Sequence, residues 1–69
     1  MDIIQVASSS ISAIGYDQAN KTLRVIFRNG GRYDYHGVPE ELAKRFLESS
    51  SKGRFYVHHI KGRFIPVHI

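Results

Sequence analysis

The sequence predicts an α+β domain in which a three-stranded antiparallel β-meander is followed by one or two α-helices packed on one face. Three observations carry that prediction. Apolar side chains alternate at Leu23, Val25 and Phe27. The turn-forming run Asn29-Gly30-Gly31 separates them from a second alternating run at residues 32–36. Leu42, Ala43, Phe46 and Leu47 then change to helical spacing, so the period of the pattern switches from strand to helix.

Taken in order, a short lead carries Ile3, Ile4 and Val6, and the Ile-rich segment 9–16, closing on Gly15-Tyr16-Asp17, is the first predicted strand. Residues 17–21 are polar, with Asp17 and Asn20 as turn formers, and lead into the second strand at 22–28. Gly30 and Gly31 tolerate positive φ, as a tight hairpin needs, and residues 32–36 form the third strand. Gly37-Val38-Pro39 breaks the extended pattern. Pro39 suits the first turn of a helix because its missing N–H would have no intrahelical partner there, and Glu40 and Glu41 favour the positive end of that helix. Ser49-Ser50-Ser51 ends it and offers an N-cap to another. Residues 52–64 fit two templates: Phe55, Val57 and His59 suit a strand, whereas Tyr56, Ile60 and Phe64 recur every fourth residue. The helix is the preferred reading, with Gly62 near its end; the tail 65–69 is expected to be extended or frayed.

The direction of Tyr33 and Tyr35 depends on the parity of the hairpin loop. A two-residue loop would put both rings on the same face as Arg24 and Arg28, where they could stack on bases. A three-residue Asn29-Gly30-Gly31 loop would align Phe27 with Tyr33 and Val25 with Tyr35 and send both rings into the core. The even loop would aim Asp34 and His36 at the core, and an unpaired carboxylate is costly to bury. The odd loop buries two large rings and leaves Arg32, Asp34 and His36 in water, so physical cost favours it.

At 69 residues the chain is expected to hold a single domain, residues 1–69, with one modest core. It has no cysteine and hence no disulfide or thiolate metal site, so its 42% hydrophobic content must supply the stability. The start of the chain shows no basic region followed by an apolar run, and no stretch is long and apolar enough to span a bilayer. A cytoplasmic location without membrane association is expected.

The charge is unevenly distributed. Residues 1–49 hold six Lys/Arg against six Asp/Glu, whereas residues 50–69 hold Lys52, Arg54, Lys61 and Arg63 with no acid, and also His58, His59 and His68. A one-signed patch attracts polyanions. The expected partner is therefore a phosphate backbone, RNA before DNA. Candidate phosphate contacts are Arg24, Arg28 and Arg32 on the sheet and Lys52, Arg54, Lys61 and Arg63 near the C-terminus, with Tyr33 and Tyr35 as base platforms under the even-loop geometry. The plain alternative for the C-terminal cations is a solvated helix face that raises solubility. A rival function is a protein-interaction module for an acidic protein or a second copy, suggested by the edge of the third strand, by Ile26 and by the apolar tail.

Metal binding is not expected: His58 and His59 are adjacent and point to different helix faces, and no His follows at i+4. Catalysis is not expected either. The serines lie in no nucleophile-elbow motif, and Gly30-Gly31 lacks the Lys-Ser/Thr ending of a phosphate-binding loop.

The ordered set Ser9, Ile11, Ile14-Gly15-Tyr16-Asp17, Leu23-x-Val25-x-Phe27, Gly30-Gly31, Tyr33-x-Tyr35, Val38-Pro39, Ser51-Lys52-Gly53 and Ile60 resembles the KTSC domain, named for its occurrence at the C-terminus of some lysyl-tRNA synthetases. The resemblance covers residues 7–64. It implies a small domain found both as an appendage and free-standing, in bacteria and phage, with no firmly assigned activity and with RNA binding as the usual suggestion. Its central motif falls on Tyr33 and Tyr35 and its Ser-Lys-Gly element on Ser51-Lys52-Gly53. Ala43 departs from the larger residue expected there.

Overall fold

Alternation and turn chemistry produce the centre of the molecule as expected, and two further strands extend it on both sides. The computed structural model describes residues 1–69. Its elements are β1 (Asp2–Gln5), β2 (Ile11–Asp17), β3 (Thr22–Phe27), β4 (Arg32–His36), α1 (Glu40–Glu48), α2 (Lys52–Phe55), which runs on as a π-helical stretch (Tyr56–Ile60), and β5 (Pro66–His68). All five strands form one antiparallel sheet in the order β1-β2-β3-β4-β5. The expected α+β class with two helices therefore holds, but the expectation of three strands is corrected to five. The lead pairs with β2, from Asp2 opposite Tyr16 to Gln5 opposite Ala13, and the tail pairs with β4. Neither segment has an alternating pattern of its own. Each becomes a strand because a finished sheet edge offers it unpaired N–H and C=O groups. Pro66 is tolerated as the first residue of an edge strand, where no ladder donor is required of it.

The β3–β4 loop has three residues, Arg28-Asn29-Gly30, closed by hydrogen bonds from Phe27 N–H to Gly31 O at 2.8 Å and from Gly30 N–H to Phe27 O at 3.0 Å. Gly30 takes φ +97°, a left-handed conformation that a side chain would strain. Parity is odd, as cost favoured, but the register is two residues away from the expected one: Val25 faces Tyr33 and Leu23 faces Tyr35. A shift of two preserves the faces. Both tyrosines lie on the helix side, and the base-platform role considered for Tyr33 and Tyr35 on the Arg24 face is corrected; Tyr35 is 2% exposed.

On β2 a bulge between Ile11 and Ala13 adds one residue, so Ile11 and Ile14 both face the helices despite their odd spacing, and both are fully buried. They join Leu23, Val25, Tyr35, Val38, Ala43, Phe46 and Ile60 in the core. α1 contributes Ala43 and Phe46 to it, and the Phe46 ring stacks on Phe55 at 5.4 Å, joining α1 to α2. The Tyr16 hydroxyl donates to Val38 O, tying β2 to the segment that enters α1.

The other sheet face carries no second layer. One row across it reads Ile3, Gly15, Arg24, Asp34 and Val67. Arg24 grips Asp34 through two hydrogen bonds, Nε to Oδ1 at 2.8 Å and Nη2 to Oδ2 at 3.0 Å. Asp34, expected in water, is 8% exposed. The bidentate hydrogen bonds from Arg24 hold its carboxyl below the usual carboxylate range, against the opposing effect of burial.

Two outcomes follow from this packing. Phe46→Ala deletes a fully buried ring and should cost about 3–5 kcal/mol, comparable with the whole stability of a chain this short; urea unfolding should find the variant largely unfolded. Because the folded-state pKa of Asp34 lies below its unfolded value of about 3.9, the stability it contributes is fully present above that value and is lost as pH falls through the folded pKa. Urea midpoints measured between pH 7 and pH 3 should therefore fall for the native chain and fall less steeply for Asp34→Asn. Parallel slopes would remove Asp34 from the acid response.

Candidate nucleic-acid interface

The cations expected on the sheet do not act as a group. Arg24 is neutralised by Asp34, so its expected role as a free phosphate contact is corrected. The hydrogen bonds that Arg24 donates to Asp34 raise its pKa further, and its guanidinium stays charged but committed. Arg32 is exposed and opposite Ile26 on the open face. Arg28 lies in the β3–β4 loop instead of on β3, where its backbone N–H donates to Ser10 O at 3.0 Å and its Nε donates to Ser8 O.

That last contact leads to an open, hydroxyl-rich concavity. Two serine triplets, 8–10 after β1 and 49–51 before α2, come together in space. Ser8, Ser9, Ser10, Ser50 and Ser51 line an open cleft of about 630 Å³ with Lys52, Gly53, Arg54 and His58. No carboxylate lines it. The two walls approach closely at Gly53, where a Cβ would stand 3.0 Å from Ser10 Oγ. Local hydrogen bonding shapes each wall. Ser8 Oγ accepts from the N–H groups of Ser10 and Ile11, both at 3.3 Å. Ser49 Oγ donates to Ser51 O at 3.0 Å and accepts from Ser51 N–H at 3.1 Å, and Lys52 Nζ donates to Ser49 O. Ser51 precedes α2 without a side-chain cap, so the first N–H groups of that helix remain available at the cleft wall.

The fold thus brings Lys52, Arg54 and His58 together and sets Arg28 at their rim. Lys61 borders a different groove, formed with Phe27, Asn29, Tyr33, Tyr56 and Pro66. Arg63 is exposed in the turn after the π-helical stretch, where its N–H donates to Ile60 O. Lys61 and Arg63 are consequently not part of the serine cleft. Lys52 and Arg54 are visible in the sequence as candidate phosphate contacts, His58 only as a member of the basic C-terminal patch, and the serines of the first triplet not as binding groups at all. The available signal was the repeated Ser-Ser-Ser triplet, whose two copies meet only after β2, β3 and β4 have folded between them.

His36 Nδ1 lies 3.0 Å from Thr22 Oγ1, while Asp17 accepts from the side chain of Asn20 and the N–H groups of Ala19 and Asn20 in the β2–β3 turn. The Asn20 bond, foremost, lowers the Asp17 pKa. These polar groups serve turns and strand ends. No cluster of three or more His, Cys, Asp or Glu side chains forms a metal-binding arrangement, and no helix is long and apolar enough to cross a membrane.

Comparison with known proteins agrees with this architecture. A KTSC domain protein from Yersinia pestis, solved by crystallography, superposes with a TM-score of 0.96 at 44% sequence identity, covering 99% of this chain and 96% of the other. A protein from Tsukamurella paurometabola is 42% identical over 90% of this chain and 92% of its own length. A lysine–tRNA ligase from Nostoc punctiforme is 31% identical over 90% of this chain, but the match spans 11% of that enzyme. The KTSC domain family model matches residues 7–64, and the chain belongs to the KTSC domain family.

Proposed function

We propose that this chain is a non-enzymatic, cytoplasmic binding domain for single-stranded RNA, and that the strand's phosphates lie in the serine-lined cleft. One observation carries the reading: Lys52, Arg54 and His58 share a cleft with five serines from two separate loops and no carboxylate. Phosphate oxygens are acceptors only, so a wall of hydroxyl and N–H donors with two permanent cations complements them. Arg28 reinforces the rim. RNA is preferred to DNA because a segment similar to this chain occurs within proteins named as lysine–tRNA ligases.

A second reading keeps the open sheet face as a docking surface for an acidic protein or a second copy. Ile3 and Val67, 42% and 44% exposed, flank the Arg24–Asp34 pair at opposite edges of that face. The edge of β4, which first suggested this function, is occupied by β5. Sedimentation at two concentrations separates the self-association form, because a strict monomer excludes it.

For the RNA reading, affinity for an unstructured oligonucleotide should fall linearly in log–log form with added salt, by about 0.7 for each phosphate neutralised. Lys52→Ala combined with Arg54→Ala should reduce that slope by about 1.4, whereas Arg63→Ala, outside the cleft, should change it less. Absence of binding at low salt, or a slope untouched by the double substitution, would reject the cleft as the phosphate site.

A further inference from the structure

The groove bordered by Lys61 is distinct from the serine cleft and has a different chemistry. Its volume is about 410 Å³, room for one planar ring system. Phe27 packs edge-on against Tyr56, with centroids 5.2 Å apart, and against Tyr33 at 6.0 Å. These rings give the groove aromatic walls. Its polar equipment consists chiefly of donors. The hydroxyls of Tyr35 and Tyr56 stand 2.6 Å apart, and both residues line the groove. Only one of their two protons is used in that bond, and the other has no acceptor within the chain. Asn29 uses its Oδ1 to accept from Gly31 N–H at 2.9 Å, which leaves its amide NH₂ to be satisfied from outside. The exposed Lys61 ammonium completes the set, and no carboxylate is present.

The backbone brings this equipment together. In the π-helical stretch, Lys61 N–H bonds back to Tyr56 O at 2.9 Å, five residues earlier. This wider turn sets Tyr56 and Lys61 beside the same groove, and such turns recur at functional sites. The groove is also adjacent to the phosphate cleft through two elements. The β3–β4 loop reaches the cleft rim through Arg28 and the groove through the next residue, Asn29. The helical segment lines the cleft with Val57 and His58 and the groove with Tyr56 and Lys61.

We infer that this groove receives one base of the strand whose phosphates occupy the serine cleft, and that it favours bases bearing carbonyl oxygens, uracil over adenine. The inference rests on the RNA reading above. Aromatic walls accept any base by stacking; the tyrosine, asparagine and lysine donors meet the two carbonyl oxygens of uracil, whereas the N1 and N7 acceptors of adenine each adjoin its N6 amino donor, for which the groove holds no carboxylate to accept.

The test uses three ribose-phosphate decamers of equal charge: one fully abasic, one carrying a single central uracil, and one carrying a single central adenine. With only one base present, stacking within the oligomer cannot bias the comparison. The uracil decamer should bind about 5- to 100-fold more tightly than the abasic one, the gain expected of one stacked and hydrogen-bonded base, and the adenine decamer should fall between them. The chain has four tyrosines and no tryptophan, and three of those tyrosines border the groove, so tyrosine emission should respond to the uracil decamer and not to the abasic one. Lys61→Met, at an exposed position, should weaken the uracil decamer more than the abasic decamer. Equal binding of all three decamers with unchanged emission overturns the base groove and leaves the phosphate cleft standing. Failure of every decamer to bind at low salt overturns both. Adenine binding as tightly as uracil overturns the selectivity.

Discussion

Three residues between Phe27 and Gly31 decide which side of the sheet every residue of β4 occupies. Because strand side chains alternate, a loop one residue shorter or longer would exchange the two faces of β4 throughout. With the loop as it is, Tyr33 and Tyr35 join the helix layer, and Asp34 falls directly opposite Arg24 on the open face. The alternative arrangement would place a carboxylate among Val25, Leu23 and Phe46 and leave two aromatic rings in water. Gly30 makes the odd loop accessible through its positive φ, and the hydrogen bond from Gly31 N–H to Asn29 Oδ1 consolidates it. The core, the ion pair and the location of unpaired cations all descend from this one turn.

The helix layer shows how a chain of this size assembles a core without disulfides. Phe46 stacks on Phe55, Phe27 meets Tyr33 and Tyr56 edge-on, and Tyr35 meets Tyr56 both ring to ring and hydroxyl to hydroxyl. Aromatic side chains bury large areas with few rotatable bonds, which suits a domain with little interior. Burial, then the bond to Tyr56, raises the pKa of Tyr35 well above that of an ordinary tyrosine. Its hydroxyl remains a neutral donor and acceptor through the physiological range. Aromatics that first suggested a base-stacking surface on the sheet are thus mainly spent on cohesion, and only the rim formed by Phe27, Tyr33 and Tyr56 stays partly open.

How far the fold could be read in advance follows from where its information lies. β3, β4 and α1 were legible because local periodicity and turn residues specify them, and a helical segment after Ser51 was legible in part: Tyr56 and Ile60 lie in the π-helical stretch, but Ser51 makes no side-chain cap and Phe64 falls beyond the helix. β1 and β5 were not, because Asp2–Gln5 and Pro66–His68 acquire strand structure only from the edges of β2 and β4. The Ile11–Ile14 spacing hid a bulge that no local pattern announces. For the candidate site, Lys52 and Arg54 were visible as charge, but Ser8–Ser10 were not visible as their neighbours, since that proximity is created by tertiary folding. Arg24 was misread because its partner Asp34 lies on the next strand, and pairing across strands requires the register that the loop sets.

The distribution of acids explains why the unpaired cations gather where they do. Asp34 is consumed by Arg24, and Asp17 by the β2–β3 turn. Glu40 and Glu41 occupy the first turn of α1, where the helix dipole favours negative charge. Every one of these tasks is discharged before residue 49, so the C-terminal third reaches the surface without acidic compensation. Concentrating cations in a concave wall raises the local potential more than scattering them over a convex one. The surplus charge acquires a location because α2 is folded against the serine loop, with Gly53 permitting the approach. Alanine at Gly53 would set its Cβ 3.0 Å from Ser10 Oγ, so with the net charge unchanged the two walls keep their convergence only as far as the serine loop gives way.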